Sequence, residues 1–242
     1  MLNNKIIDNE ALLMSEITTR LEAIQKRIAL ARERSPYHQD VTLVAVTKFH
    51  PISEMKEVIA QGITQIGENR VQEMEEKFEL LTEKVTWNLQ GHLQRNKVKK
   101  AVAMADLIQS GDSIDILKEI DKRAGQIDKV QDILLEFNIS GEETKTGISP
   151  HDFEEAVEVA KTLPYIKVVG LMCMAPEFGD LEQTRPVFKE GRQLFEKLKQ
   201  RFPEGQVSIL SMGMSHDFEI AIEEGATMVR VGTSIFGERV YR

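Results

Sequence analysis

Val41-Thr-Leu-Val-Ala-Val-Thr-Lys48 decides the fold class. Its mostly apolar, β-branched residues have the composition of a strand buried on both faces in a parallel sheet. A lysine closes the run, just ahead of Phe49-His50-Pro51 and a predicted helix. Ligand sites of α/β folds lie at the carboxyl ends of strands. A partly desolvated lysine has a lowered pKa and can attack a carbonyl. A lysine at a strand end can also simply snorkel to water, and this stretch alone favours that plainer role.

On the amino side, Leu13, Ile17, Leu21, Ile24, Ile28 and Ala31 recur at steps of three or four. That spacing predicts an amphipathic helix over residues 9–34, ended by Ser35-Pro36. On the carboxyl side, further strands are expected at 65–69, 86–90, 106–110, 132–139, 166–174, 206–210 and 227–231. Helices are expected between them at 53–61, 70–83, 94–105, 113–123, 149–163, 181–201 and 216–224. The run Glu73–Lys77 reads as the solvated face of its helix. Eight strands alternating with helices, with no linker or composition break, predict one (β/α)8 barrel of the TIM type with an additional N-terminal helix. The barrel spans 41–237 of a single 1–242 domain; a doubly wound open sheet is the runner-up.

The bulk properties narrow the function classes. The 242 residues are 41% hydrophobic and 29% charged, with a formal net charge of −8. That balance suits a soluble globular protein and argues against a general binder of nucleic acid or anionic membrane. No apolar run reaches the roughly 20 residues of a membrane span, and the N-terminus lacks a signal-peptide core. The single cysteine, Cys173, lies in an apolar run and reads as a buried small hydrophobe. With no intrachain disulfide possible, a cytoplasmic location is expected.

A closed barrel would bring the strand ends to one mouth. Lys48, Glu68, Asn69, Gly91, His92, Asn138, Ser140, Ser211, Gly213, Ser215, Arg230, Gly232 and Thr233 fall there, while the strand interiors read as apolar. Barrels often hold phosphate on the loops after strands 7 and 8. Ser215 can cap the following helix and donate to a phosphate, and a glycine at 232 lets backbone N–H groups approach an anion. Turn glycines and capping serines explain either loop alone. Arg230 lies inside an apolar strand and needs an acceptor, either a neighbouring carboxylate or a heterocyclic nitrogen. Pyridoxal phosphate (PLP) supplies an aldehyde, a phosphate and a ring nitrogen together.

The motifs Val44-Ala-Val-Thr-Lys48, Gly67-Glu-Asn69, Gly91-His-Leu-Gln94, Asn138-Ile-Ser-Gly-Glu142 with Lys145-Thr-Gly147, Leu210-Ser-Met-Gly-Met-Ser215 and Val229-Arg-Val-Gly-Thr233 resemble those of the pyridoxal phosphate homeostasis proteins. These are similar to the N-terminal barrel domain of alanine racemase. The resemblance implies that Lys48 is the Schiff-base lysine and that Arg230 faces the pyridine nitrogen. It places Ser215 and the backbone of Gly232 and Thr233 on the phosphate, and Asn69 and His92 beside the ring. Asn88-Leu-Gln90, where a more aromatic or apolar stretch is expected, and Arg70 depart from the family pattern.

Three functions compete at this level: a PLP carrier with no strong reaction of its own, a PLP-dependent amino-acid racemase, and a lysine aldolase with Glu68 as acid/base. Racemisation needs an acid/base on each face of the reacting carbon. None of Tyr37, Tyr165 and Tyr241 lies at the C-terminal end of a predicted strand, and the racemase's second domain is expected to be missing. The carrier is therefore favoured, as a monomer, with PLP as its ligand and PLP-dependent apoenzymes as candidate recipients. No catalytic or metal-binding residue is assigned. Lys145 reads as a solvated loop residue, or alternatively as an aid to cofactor transfer.

Overall fold

A computed structural model describes residues 2–177 and 179–237, with the backbone alone over 2–15. Tyr241 lies outside the described residues. Eight parallel strands close into a barrel in sequence order. They are β1 (Thr42–Val46), β2 (Gln65–Glu68), β3 (Thr86–Leu89), β4 (Leu107–Gly111), β5 (Gln131–Glu136), β6 (Ile166–Met172), β7 (Ile209–Ser211) and β8 (Met228–Val231). Closure, which rules out the open sheet, is made by β1 pairing with β8, Thr42 opposite Met228 and Ala45 opposite Val231.

The helices are α1 (Leu2–Arg34), α2 (Ile52–Ala60), α3 (Val71–Leu80), α4 (Val98–Met104), α5 (Ile114–Gly125), α6 (Phe153–Lys161), α7 (Arg185–Lys199), α8 (Phe218–Glu223) and α9 (Thr233–Phe236). Helix α1 begins before the expected residue 9. It packs on α2, α8 and α9 and so covers the gap in the helical ring between β8 and β1. Ile17, Leu21, Ile24, Ile28 and Ala31 form its buried stripe. Arg27 grips Glu219 of α8 through two hydrogen bonds of 3.2 and 2.8 Å. Among the described residues no helix is long and apolar enough to cross a membrane.

Side chains alternate between the two faces of each strand, and the core divides accordingly. Ala45, Ile66, Leu89, Ile108, Ile133, Leu135, Leu171, Leu210 and Val229 meet the helices. Val44, Leu107, Leu134, Val169, Met172 and Met228 form a separate cluster inside the barrel. The interior is not apolar throughout, contrary to the sequence expectation: Asn88, Gln109, Ser211, Glu136 and Arg230 are also buried. All lie on the inward parity of their strands, in phase with that inner cluster.

Two strands are displaced from their expected positions. β4 runs one residue later, to Gly111. β7 starts at Ile209 rather than Gln206, because Gln206 and Ser208 serve the approach to the strand: Gln206 Nε2 donates to the Val168 carbonyl at 3.0 Å and Ser208 N–H to the Val169 carbonyl at 3.0 Å. Gly170 is required opposite it, since a Cβ there would stand 1.9 Å from the Ile209 carbonyl oxygen.

Candidate functional site

Lys48 follows β1 in a turn. Val44 faces the barrel interior and Thr47 faces outward, so alternation returns Lys48 to the interior side, where it is half-buried. The residues beside it are pinned to α3. Lys77 is buried and donates to the Thr47 carbonyl (2.6 Å), Glu68 Oε1 (2.7 Å) and Glu73 Oε1 (2.7 Å). The Thr47 hydroxyl donates to Glu68 Oε1, and the Phe49 N–H donates to Glu73 Oε1. Phe49 adopts φ 67°, a left-handed conformation uncommon outside glycine. The charge run Glu73–Lys77 is thus not simply a solvated face: Lys77 points inward and organises the turn that carries Lys48.

Glu68 is fully buried on the outward parity of β2, between the strand and α3. Burial pushes its carboxyl up from the usual range, while the Lys77 ammonium and the Lys77 and Thr47 hydrogen bonds oppose that rise. Committed to Thr47 and Lys77, it is not brought to the barrel interior as the aldolase's acid/base.

The loops after β7 and β8 meet through Ser215. Its hydroxyl accepts from the N–H groups of Gly232 and Ser234, both at 3.3 Å, and its carbonyl accepts from the Ser234 hydroxyl at 3.4 Å. Ser215 therefore holds the turn into α9 rather than capping α8; the residue at the start of α8 is Asp217, whose carboxylate accepts from the preceding Met214 N–H at 2.6 Å. Gly213 has φ 95°, and a Cβ there would lie 2.6 Å from that of Ala221. Gly232 lies against β1, since its Cβ would come 3.2 Å from the Val46 carbonyl oxygen. This turn and Lys48 consequently occupy neighbouring positions at the mouth; Thr233, the first residue of α9, is exposed.

Arg230 is 3% exposed. Its Nη1 donates to Ser211 Oγ at 2.6 Å and its Nη2 to the Cys173 carbonyl at 3.4 Å. Burial lowers its pKa, opposed by the more distant charges of Glu136 and Asp217. Among the described residues it forms no ion pair with a carboxylate. Of the two acceptors anticipated for it, a neighbouring carboxylate is not the one found; its protein partners are a hydroxyl and a carbonyl.

Asn69 and His92 line one cleft of about 670 Å³, together with Arg70, Gln72 and Lys97. Asn69 Oδ1 accepts from Gln90 Nε2 at 3.1 Å. His92 Nδ1 lies 2.6 Å from Asp112 Oδ2. Arg70 stacks over Phe49 at 5.4 Å, which ties this cleft to the Lys48 turn. Asn138 and Ser140 do not end a strand. Asn138 closes its own loop, donating to the carbonyls of Glu142 (2.9 Å) and Lys145 (3.2 Å). Lys145 is half-buried, paired with Glu142 at 2.8 Å and donating to the Ala175 carbonyl at 3.3 Å, so it is not simply solvated.

β5 instead ends at Glu136, a residue the sequence reading passed over. It is 2% exposed and accepts from the Thr146 hydroxyl at 3.0 Å. Ending the strand three residues sooner would have revealed it, since 132, 134 and 136 share the inward parity. Burial first, then the Asp112 charge, push its carboxyl up to about 7 from the usual 4.5. In the unfolded chain it ionises near 4.5. Its contribution to stability is full below that pH and is lost as pH rises through about 7, a span of about 3 kcal/mol. Glu136→Gln removes this titration. Its stability relative to the native protein should therefore increase from pH 5 to pH 8, measured by urea unfolding at both; an unchanged difference would contradict the assignment.

A family model described as the alanine racemase N-terminal domain matches residues 19–240. The pyridoxal phosphate homeostasis protein of Aquifex aeolicus is 42% identical over 226 residues, covering 92% of this chain and 98% of its own. The structure of PipY from Synechococcus elongatus with PLP bound matches with a TM-score of 0.80 and 34% identity, over 92% of this chain and 100% of that one. An alanine racemase of Clostridium difficile, 14% identical with a TM-score of 0.70, covers 93% of this chain and 56% of its own, and shares the barrel fold. With a relative this similar over nearly the whole of both sequences, the chain belongs to the pyridoxal phosphate homeostasis protein family.

Proposed function

We propose that the chain binds PLP at the carboxyl mouth of its barrel, with Lys48 as the Schiff-base lysine. The observation that carries this reading is Arg230, a deeply buried guanidinium whose acceptors among the described residues are neutral, on the same mouth as Lys48 and the Ser215–Gly232 turn. The residues fit the group. Arg230 offers N–H donors to a ring nitrogen and would keep it unprotonated. Ser215, Gly232 and Thr233 offer a hydroxyl and backbone N–H groups to a phosphate. Asn69 and His92 border the ring side. PLP supplies the aldehyde with which a lysine amine condenses. The PLP-bound PipY structure supports the same cofactor.

The role is cofactor homeostasis, by buffering PLP or delivering it to PLP-dependent apoenzymes, in the cytoplasm. The name carried by the relatives supports that role. A monomeric state belongs to the same proposal. An unprotonated ring nitrogen makes PLP a poor electron sink, which disfavours carbanion chemistry. Glu136 favours a second reading, amino-acid racemisation, because a carboxyl titrating near 7 can exchange protons near neutrality. Two measurements on the purified protein decide. Added PLP should generate a visible Schiff-base band; its absence would end the PLP proposal. Alanine in deuterated water should lose its α-proton far more slowly than about 1 s⁻¹, and turnover at that rate or above would establish the racemase instead.

A further inference from the structure

Five side chains from five strands form one hydrogen-bonded chain across the barrel interior. Arg230 Nη1 donates to Ser211 Oγ at 2.6 Å. The Ser211 hydroxyl donates to Gln109 Oε1 at 2.7 Å. Gln109 Nε2 donates to Asn88 Oδ1 at 3.0 Å, and Asn88 Nδ2 donates to Gln65 Oε1 at 2.9 Å. The chain crosses from β8 through β7, β4 and β3 to β2. Gln109, Asn88 and Ser211 are each 0% exposed. Gln65 reaches a cavity of about 670 Å³ at the amino end of the barrel, so the chain runs most of the barrel's depth.

The cation fixes the first bond, and backbone carbonyls fix the far end: Asn88 Nδ2 also donates to the carbonyls of Ile66 and Thr86, both at 3.3 Å, which turns its oxygen to Gln109. A guanidinium only donates, so Ser211 must accept from it and send its own proton elsewhere. Gln109 must then turn its oxygen to Ser211 and its nitrogen to Asn88. Asn88 in turn must accept with its oxygen and donate to Gln65. The alternative amide orientations would leave two donors or two acceptors facing each other. Barrel interiors are ordinarily filled by branched apolar residues. Burying amides there is unfavourable unless each is bonded. The order of these bonds makes sense if it holds the guanidinium in one rotation about its axis.

We propose that Gln109 and Asn88 are positioning residues: through Ser211 they fix the rotation of the Arg230 guanidinium, and with it the N–H presented to the ring nitrogen of the cofactor. This rests on the proposal that PLP binds with Arg230 at its ring nitrogen. It also gives a role to Asn88, whose polar character departs from the expected family pattern. Neither residue touches the cofactor. Their effect is transmitted through Ser211: with its proton held by Gln109, the hydroxyl is fixed in one orientation and presents its lone pairs to Arg230.

The test loads PLP onto the native protein, Gln109→Leu, Asn88→Leu and, as an off-chain control, Leu134→Ala from the inner apolar cluster. Three quantities are read: the pH midpoint of the visible band, the rate of PLP dissociation, and the thermal midpoint. For Gln109→Leu the band should persist, its midpoint move by about one pH unit and dissociation accelerate about tenfold. Asn88→Leu should change both in the same direction by less. Leu134→Ala should lower the thermal midpoint while leaving the other two at native values. If both chain variants keep the native pH midpoint and dissociation rate while only stability changes, the proposal is overturned. If Gln109→Leu fails to fold, Asn88→Leu alone decides by the same criteria. A native protein that develops no band with PLP would instead overturn the underlying cofactor proposal, which separates the two failures.

Discussion

Lys48→Ala should abolish the visible Schiff-base band and weaken PLP binding by at least about 100-fold, or roughly 2.7 kcal/mol. The proposed phosphate donors Ser215, Gly232 and Thr233 and the donors of Arg230 remain in the variant, so weak noncovalent binding should survive. Lys48→Arg should behave alike, since it keeps the charge and loses the nucleophilic amine. Neither change should shift unfolding free energy by more than about 1 kcal/mol, because the side chain is half-buried at an open mouth. Two other lysines are positioned to be considered. Lys77, on α3, is committed to three protein acceptors. Lys145 reaches the Ala175 carbonyl and Glu142 in the loop after β5. Equilibrium titration followed by absorbance checks the result; a Lys48→Ala protein with the native band would assign the chemistry to another amine.

Lys77→Met should produce the largest loss of stability, about 3–5 kcal/mol, measured by urea unfolding. Removing one partner of a buried ion pair leaves the other charge uncompensated. Here it would strand Glu68, which is 0% exposed and whose Oε2 already has no hydrogen-bond partner among the described residues. The Thr47 carbonyl and Glu73 would lose a donor together with it. Changing Glu68 to leucine in the same protein should recover part of the loss, because an apolar pair can replace a buried ion pair at little net cost. Such recovery would separate the stranded charge from a simple packing defect. A single variant within 1 kcal/mol of native would show that the clamp is energetically idle. The turn around Lys48 is pinned by this clamp, so Lys77→Met should also increase hydrogen exchange at the Phe49 and His50 amides.

The barrel was legible in the sequence because largely apolar runs such as 42–46 and 228–231, recurring between helical segments, signal strands covered on both faces. Lys48, Ser215, Arg230 and Gly232 stood out for the same reason, as chemistry-bearing residues within or ending apolar segments. Positions that depended on register were harder. Gln206-Val-Ser-Ile-Leu210 has strand composition, yet only its last two residues enter β7, and pairing partners cannot be read from composition. Asn88 and Gln109 resemble ordinary polar interruptions until the barrel's parity turns them inward. Glu136 was obscured by placing the strand end three residues late. Lys77 was obscured by its neighbours, because a run of Glu and Lys on a helix is normally solvated and only tertiary contact shows which member is buried.

If Lys48 carries the cofactor, the bond can be trapped chemically. The most direct measurement reduces the PLP-loaded protein with borohydride, digests it and locates the pyridoxyl group by peptide mass. Modification of one residue, Lys48, at close to one group per chain is the predicted result. A pyridoxyl group on Lys145 or another lysine with Lys48 unmodified, or scattered substoichiometric labelling, would contradict it.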